Sequence, residues 1–265
     1  KVNREITVLF GGARALLMHA AHPLIAAGAR QTSLYQRDPW KRLIRTLSLQ
    51  NSVTFGTREE ANESAHRINK LHEVIKGKDE ITGEIYDALD HEQLLWVHAC
   101  LQISSIYFYE KTVKKLSVEE KNQYHKENML SANLVLIDTN NMPKTHEELK
   151  EWVIQKSKQE SYLLHTDVAQ DVFEIIGGGP VPAHIKPIWP FISFTAYNTL
   201  PKEFKNIYGL KETKIKNIII NINLKLLKIT RPFLPPFFRL IPPARWANQR
   251  LRNKPDLKFK DKSKI

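Results

Sequence analysis

An all-α fold is predicted by three observations. Apolar residues recur at i, i+3 and i+4 along most of the chain, strand-like alternation is scarce, and several segments open on the Ser/Thr/Asp signature that caps helix N-termini. With 265 residues and apolar side chains spread evenly, one large core is expected, without internal repeats.

The first helical stretch, Ile6 to Ala29, contains GGARALLMHAAHPLIAAGA. Gly11 and Gly12 are expected to weaken or break it early. Pro23 cannot donate a backbone hydrogen bond, which predicts a kink or a new helix near His22. Arg14, His19 and His22 interrupt an otherwise apolar segment, and each needs a partner or a ligand if buried. An Asp-Pro turn precedes a basic amphipathic stretch from Trp40 to about Leu49. Thr57 to Lys76 follows as a helix whose apolar face holds Ile68, His72 and Ile75, with Gly77 as its expected stop.

Asp90 is placed to cap a helix with Leu94, Leu95, His98, Leu101 and Ser105 on one face. Ser117 with Glu120 reads as a capping box, and THEE opens a longer helical region from Thr145 to about Ile175. GGGPVPAHIKPIWP, residues 177–190, reads as a loop; it lacks the Lys-Ser/Thr ending and preceding strand of a phosphate loop.

The formal net charge is +12, and Lys211 to Ile265 carries fifteen Lys/Arg against three Asp/Glu. The basicity belongs to that segment, so residues 1–210 are expected to form the main domain and 211–265 a basic, aromatic and Pro-rich extension packing on that domain or on a membrane surface. Basic charge beside Phe233, Phe237, Phe238 and Trp246 suits an anionic membrane surface. A last core helix followed by a solvated basic end fits the same composition. Nucleic acid is not expected, because no binding module accompanies the basic residues.

A single cysteine, Cys100, excludes an intramolecular disulfide and fits a reducing compartment; it reads as a small core residue. No run of about 18 apolar residues is present, and KVNREITVLF lacks a signal-peptide layout. Without an initiator Met, a trimmed upstream segment is allowed for. The expected location is cytoplasmic, peripheral to a membrane.

Of ten histidines, His66, His91, His125, His146 and His184 lie among polar, capping or loop residues and are expected at the surface. His22, His72 and His98 have apolar helical settings, which suit either satisfied core histidines or ligands. HExxH, CxxC and GxSxG are all missing. A nitrogen ligand in an apolar helical pocket suits haem; non-haem iron held by the same histidines with a carboxylate is the alternative. Arg42, Arg45 and Thr46 place donors at i, i+3 and i+4, where they form either a polar group over a cofactor or a solvent-facing ridge.

GGARALLMHAAHPLIAAGARQTSLYQRDPWKRLIRTL, FGTREEAN, RINKLHEVIKG and IYDALDHEQLLWVHACL recur in this order in the DUF2236 family, also called the MpaB or rubber-oxygenase catalytic domain family, which residues 4–205 resemble. The resemblance implies a globin-like helical domain enclosing haem b, with oxidative cleavage of carbon–carbon double bonds in lipophilic, isoprenoid-like substrates by dioxygen. It implies that His72 is the iron ligand, with His98 the second choice, that Arg42, Arg45 and Thr46 form the distal group, and that Lys76 meets a propionate. His22 and Arg14 are expected as catalytic and cofactor-supporting residues. The chain departs from the family at His19, commonly glutamine, at Thr32, commonly histidine, at Arg45, where the rubber-cleaving relatives carry lysine, and in a shorter span from Thr46 to His72. A non-catalytic haem or gas binder, and a haem-free module binding a membrane or protein partner, are the remaining readings.

Overall fold

The computed structural model describes residues 1–32 and 34–253; the lysine-rich end predicted after 253 lies outside the described residues. Two 3₁₀ turns, Val2–Arg4 and Ile6–Leu9, lead into α1 (Phe10–Ala20), α2 (Pro23–Thr32), α3 (Leu34–Arg37), α4 (Pro39–Phe55) and α5 (Arg58–Glu73). A small antiparallel hairpin, β1 (Lys76–Lys78) and β2 (Ile85–Asp87), precedes α6 (His91–Thr112) and α7 (Val118–Leu134). Then come α8 (His146–Ser157), α9 (Asp167–Gly178), α10 (Trp189–Asn198) and α11 (Lys202–Ile207). The chain continues through α12 (Lys214–Thr230), α13 (Pro236–Arg239) and α14 (Pro242–Asn253). The fold is all-α, as predicted.

The centre of the fold is α6. It buries residues on every side, from Leu94, Trp96 and Cys100 to Ile106, Phe108 and Thr112, the pattern of a helix enclosed by others. α1, α8 and α12 lie against it. Burial pushes the Cys100 thiol up, so this residue acts as core filling.

The expected break at Gly11 and Gly12 does not occur, since α1 runs through both. The reason is tertiary. A Cβ on Gly11 would stand 3.2 Å from the backbone carbon and oxygen of Ser104, so glycine lets α1 and α6 approach closely. The expected change of direction at His22 is present: α1 and α2 meet at 101°, with Pro23 starting the second helix.

Helix starts follow the caps read from the sequence. Asp90 accepts from the Gln93 amide, and Ser117 and Glu120 form a reciprocal box. Thr145 accepts from the Glu148 amide, but the region it opens is two helices, α8 and α9, separated by residues 158–166. Ser161 takes a positive φ in that connection, and Leu164 donates its amide to the Ala21 carbonyl at 2.8 Å. Gly77 does not stop a helix either. α5 ends at Glu73, and Gly77 sits in β1 under Tyr86, whose hydroxyl would lie 2.8 Å from an added Cβ. The first two residues of GGGPVPAHIKPIWP complete α9, and Trp189-Pro190 begins α10.

The α1/α6 crossing yields a paired test. Gly11→Val is expected to lower stability by about 2 kcal/mol through overpacking. Gly12→Ala, with open space around the added Cβ, is expected to raise it by up to about 1 kcal/mol. Denaturant midpoints of the two variants check the pair.

Candidate functional site

The bend between α1 and α2 positions His22. Its ring stands edge-on to Tyr162, centroids 4.7 Å apart, and 5.8 Å from Trp96. His22 is 4 % exposed, and its Nδ1 is buried without a hydrogen-bond partner. Burial pushes its pKa down to about 4, against the opposing fields of Glu92 and Asp90. A cavity of about 230 Å³ opens here, lined by His22, Leu24 and the acidic end of α6. One turn earlier, His19 donates from Nε2 to the Val97 carbonyl at 3.1 Å and so ties α1 to α6. Burial also takes His19 down to about 4, and the charge of Arg42 on α4 adds to the effect.

His98 follows Val97 on α6. Its Nε2 is buried and unpartnered, and burial lowers its pKa to about 4, helped by nearby His125. Gln102, one turn on, donates from Nε2 to His125 Nδ1 at 2.8 Å. His125 Nε2 lies 2.9 Å from the Pro143 carbonyl. A carbonyl only accepts, so His125 carries a proton on Nε2; burial favours the neutral ring, which leaves Nδ1 to accept from the Gln102 amide. His146 Nδ1 lies 3.5 Å from the same Gln102 nitrogen. His125 and His146 are 0 % and 4 % exposed, which corrects their expected surface placement. Periodicity could have found His125, since Tyr124, His125 and Ala132 share the buried side of α7. His146 could not be found locally, because an N-terminal helix position looks polar until the neighbouring α7 covers it. His91 is half-buried, while His66 and His184 are exposed.

The remaining predicted residues lie on α4, α5 and β1. Asp38 caps α4, which has no fully buried residue, and α5 fully buries only Ser64 and Ala65. Between the two helices runs a groove of about 1010 Å³. Ile44 and Leu71 contribute apolar lining; Lys41, Arg45, Arg67 and Lys70 contribute cations. Arg67 pairs with Glu63 and Lys70 with Glu73, whereas Arg45 has no ion-pair partner among the described residues. Arg42 is half-buried and Thr46 is exposed. His72, near the end of α5, is half-buried; its Nδ1 is enclosed without a partner, and burial lowers its pKa. Lys76 is exposed in β1.

Arg14 has protein partners. It donates from Nη1 to Ser104 Oγ at 2.6 Å and from Nε to the Thr199 carbonyl at 2.9 Å, and it lies over the Tyr107 ring. The structure thus ties His19 to α6 and brings the charge of Arg42 within electrostatic reach of it, places His98 near His125, and sets His72 and Arg45 on the α4/α5 pair. Among the described residues, no hydrogen bond or ring contact joins His72 to His22 or His98, and no three His, Cys, Asp or Glu side chains are grouped to hold a metal ion.

Three imidazoles therefore each enclose one unpartnered ring nitrogen, an arrangement that costs about 1–3 kcal/mol apiece when nothing binds it. These are the same three histidines that the apolar helical settings singled out. The donor set fits a group that brings most of its own ligands and needs one imidazole from the protein. A pH dependence follows. His22 and His146, both near 4 in the folded chain, titrate near 6.5 when unfolded. Between these values the unfolded state binds more protons, so stability is full above about pH 6.5 and falls as the pH drops towards 4. The expected loss is about 3 kcal/mol per histidine, read as denaturant midpoints across that window. A profile flat from about pH 7 to 4 contradicts the burial of these rings as neutral species.

Residues 1–219 match the family described as ER-bound oxygenase mpaB/B'/rubber oxygenase, catalytic domain. No curated protein and no solved structure matches the chain. A match over most of the 265 residues, in a helical domain of this kind, places the chain in that family: it is an oxidoreductase carrying the MpaB/rubber-oxygenase catalytic domain.

Proposed function

We propose that this oxygenase uses haem b and dioxygen to cleave a carbon–carbon double bond in a lipophilic, isoprenoid-like substrate. The observation that carries the reading is the set of unpartnered ring nitrogens on His22, His72 and His98 within an oxygenase domain. A haem requires one protein imidazole, whereas a non-haem iron site requires several side chains brought together; no such group stands among the described residues. When bound, the haem would supply an iron centre able to react with dioxygen.

His72 is the residue that would hold the iron, and His98 is the second candidate. His72 lies beside the α4/α5 groove and does not line it; the two helices, with so few buried residues, would gain a core from an apolar disc placed between them. Arg45, Lys41, Arg67 and Lys70 line that groove and offer charge to propionates, a part for which Lys76 is also proposed. Arg42, at the step from groove to His19, and Arg45 are the donors for an oxygen-derived group, with Thr46 beside them. His22 and Arg14 act behind the pocket: His22 orders the bend that carries α2, and Arg14 fixes α1 against α6. The overall reaction balances without external electrons, since one double bond and one dioxygen yield two carbonyl groups.

The test is an absorption spectrum of the full chain, oxidised and dithionite-reduced, before and after haem addition. A Soret band is expected, and a chain that takes up no haem overturns the proposal. His72→Ala is expected to weaken haem retention about tenfold or more, some 1.4 kcal/mol, while His98→Ala retains the band. The reverse pattern moves the ligand to His98. Oxygen uptake with an isoprenoid alkene, and trapping of carbonyl products, then tests the reaction class.

A further inference from the structure

The helix α12 has three faces. Ile220 and Leu224 are buried against Phe108 of α6. A second stripe, Ile215, Ile218, Ile222, Leu226 and Ile229, advances by three or four residues and is 51–70 % exposed throughout, so it lies along one side of the helix that no part of the described chain covers. Lys214, Lys225 and Lys228 are also exposed and flank that stripe on a single side. The apolar surface continues past the helix: Phe233, Phe237 and Phe238 are 84 %, 63 % and 59 % exposed. The next helix, α14, adds Trp246 at 58 %.

This surface is held in place. Arg231 donates from Nε to the buried carboxylate of Glu5 at 2.9 Å, and its Nη2 lies 2.8 Å from the other carboxylate oxygen as an ion pair. The Ile241 amide donates to the Arg4 carbonyl at 3.0 Å, Leu240 bridges Glu5, and Arg245 lies over the Phe237 ring at 4.0 Å. Arg250 donates to the Phe55 carbonyl at the end of α4. The phenylalanines are thus displayed on a docked segment, which limits the ordering cost of binding.

We propose that α12, α13 and α14 form a docking face for an anionic lipid bilayer, with the Ile/Leu stripe and the phenylalanines entering the headgroup–acyl boundary and the flanking lysines meeting lipid phosphates. The charge decides the occupant. Residues 211–253 carry ten Lys/Arg and one acidic residue, Glu212, and Glu212 is taken up by Lys205. A two-fold contact between copies would set these cations against each other. A bilayer instead provides apolar depth beneath negative charge, the combination that basic amphipathic helices select. The inference is independent of the haem reading, because no residue of the candidate site takes part.

The experiment is sedimentation of the full chain with vesicles of phosphatidylcholine alone and with phosphatidylserine added, alongside a measurement of its oligomeric state without lipid. Binding is expected, stronger with phosphatidylserine and weakened by salt. Phe233→Glu with Phe238→Glu, at exposed positions that make none of the holding contacts just named, is expected to lower binding on the order of 100-fold. Lys225→Glu and Lys228→Glu are each expected to lower it roughly fivefold, on phosphatidylserine vesicles only. Val118→Glu, equally exposed on α7, leaves it unchanged. Absence of vesicle binding overturns the proposal. So does a lipid-free dimer that the double phenylalanine substitution dissolves, which would assign the face to a second copy.

Discussion

A buried guanidinium organises this domain. Arg14 lies where α1 crosses α6, and its three contacts reach α6 twice, through Ser104 and Tyr107, and the end of α10 once, through the Thr199 carbonyl. Burial pushes it down to about 10, so it stays charged at neutral pH. Such a charge is tolerated only where donors find acceptors in fixed positions. The crossing must therefore be close and exact, and Gly11 and Ala15, the latter fully buried, make it close. The position of α1 against α6 in turn fixes the bend at Ala21 and His22, and with it the direction of α2.

The histidines divide according to this frame. Those whose ring nitrogens are answered stitch helices together: His19 to the Val97 carbonyl, and His125 between Gln102 and the Pro143 carbonyl. Those with an enclosed, unanswered nitrogen do not stitch anything at that atom. A core under selection for stability alone would replace such a ring with leucine or phenylalanine and recover the desolvation cost. That cost falls at three separate places in the domain, on His22, His72 and His98.

What the sequence made legible was local. Caps at Asp90, Ser117 and Thr145 and the proline after His22 act within a turn or two of themselves, so their consequences could be read in order along the chain. Family motifs carried the fold and the oxygenase domain. What stayed hidden was decided across the chain. Gly11 looks like a helix breaker until Ser104 is seen against it, and His146 looks like a surface residue until α7 covers it. The break after Ser157 is another case, since the Leu164 amide finds its acceptor at Ala21, far back in sequence. For the candidate site, the apolar settings of His22, His72 and His98 were readable, but which residues share a neighbourhood was not. The charge of Arg42 acts on His19 from another helix, and no spacing within either helix encodes that.

The α4/α5 pair is weakly packed. α4 buries nothing fully and α5 only two small residues, so the pair holding Arg42, Arg45 and His72 has little core of its own. Helices in that condition rest on their ends and on whatever lies between them. At one end Asp38 caps α4; at the other, Arg250 of α14 binds the Phe55 carbonyl. The C-terminal segment thus does more than display an apolar face: it closes the far end of α4. Any ligand that fills the α4/α5 groove adds its binding free energy to the stability of these two helices. The same linkage makes the groove sensitive to how firmly α14 is seated, and the segment leading into α14 is held at the chain's N-terminus, where the Ile241 amide meets the Arg4 carbonyl and Arg231, ahead of α13, pairs with Glu5. The α4/α5 groove and the outer apolar surface are therefore connected by backbone and by one buried ion pair, without requiring any contact between the two.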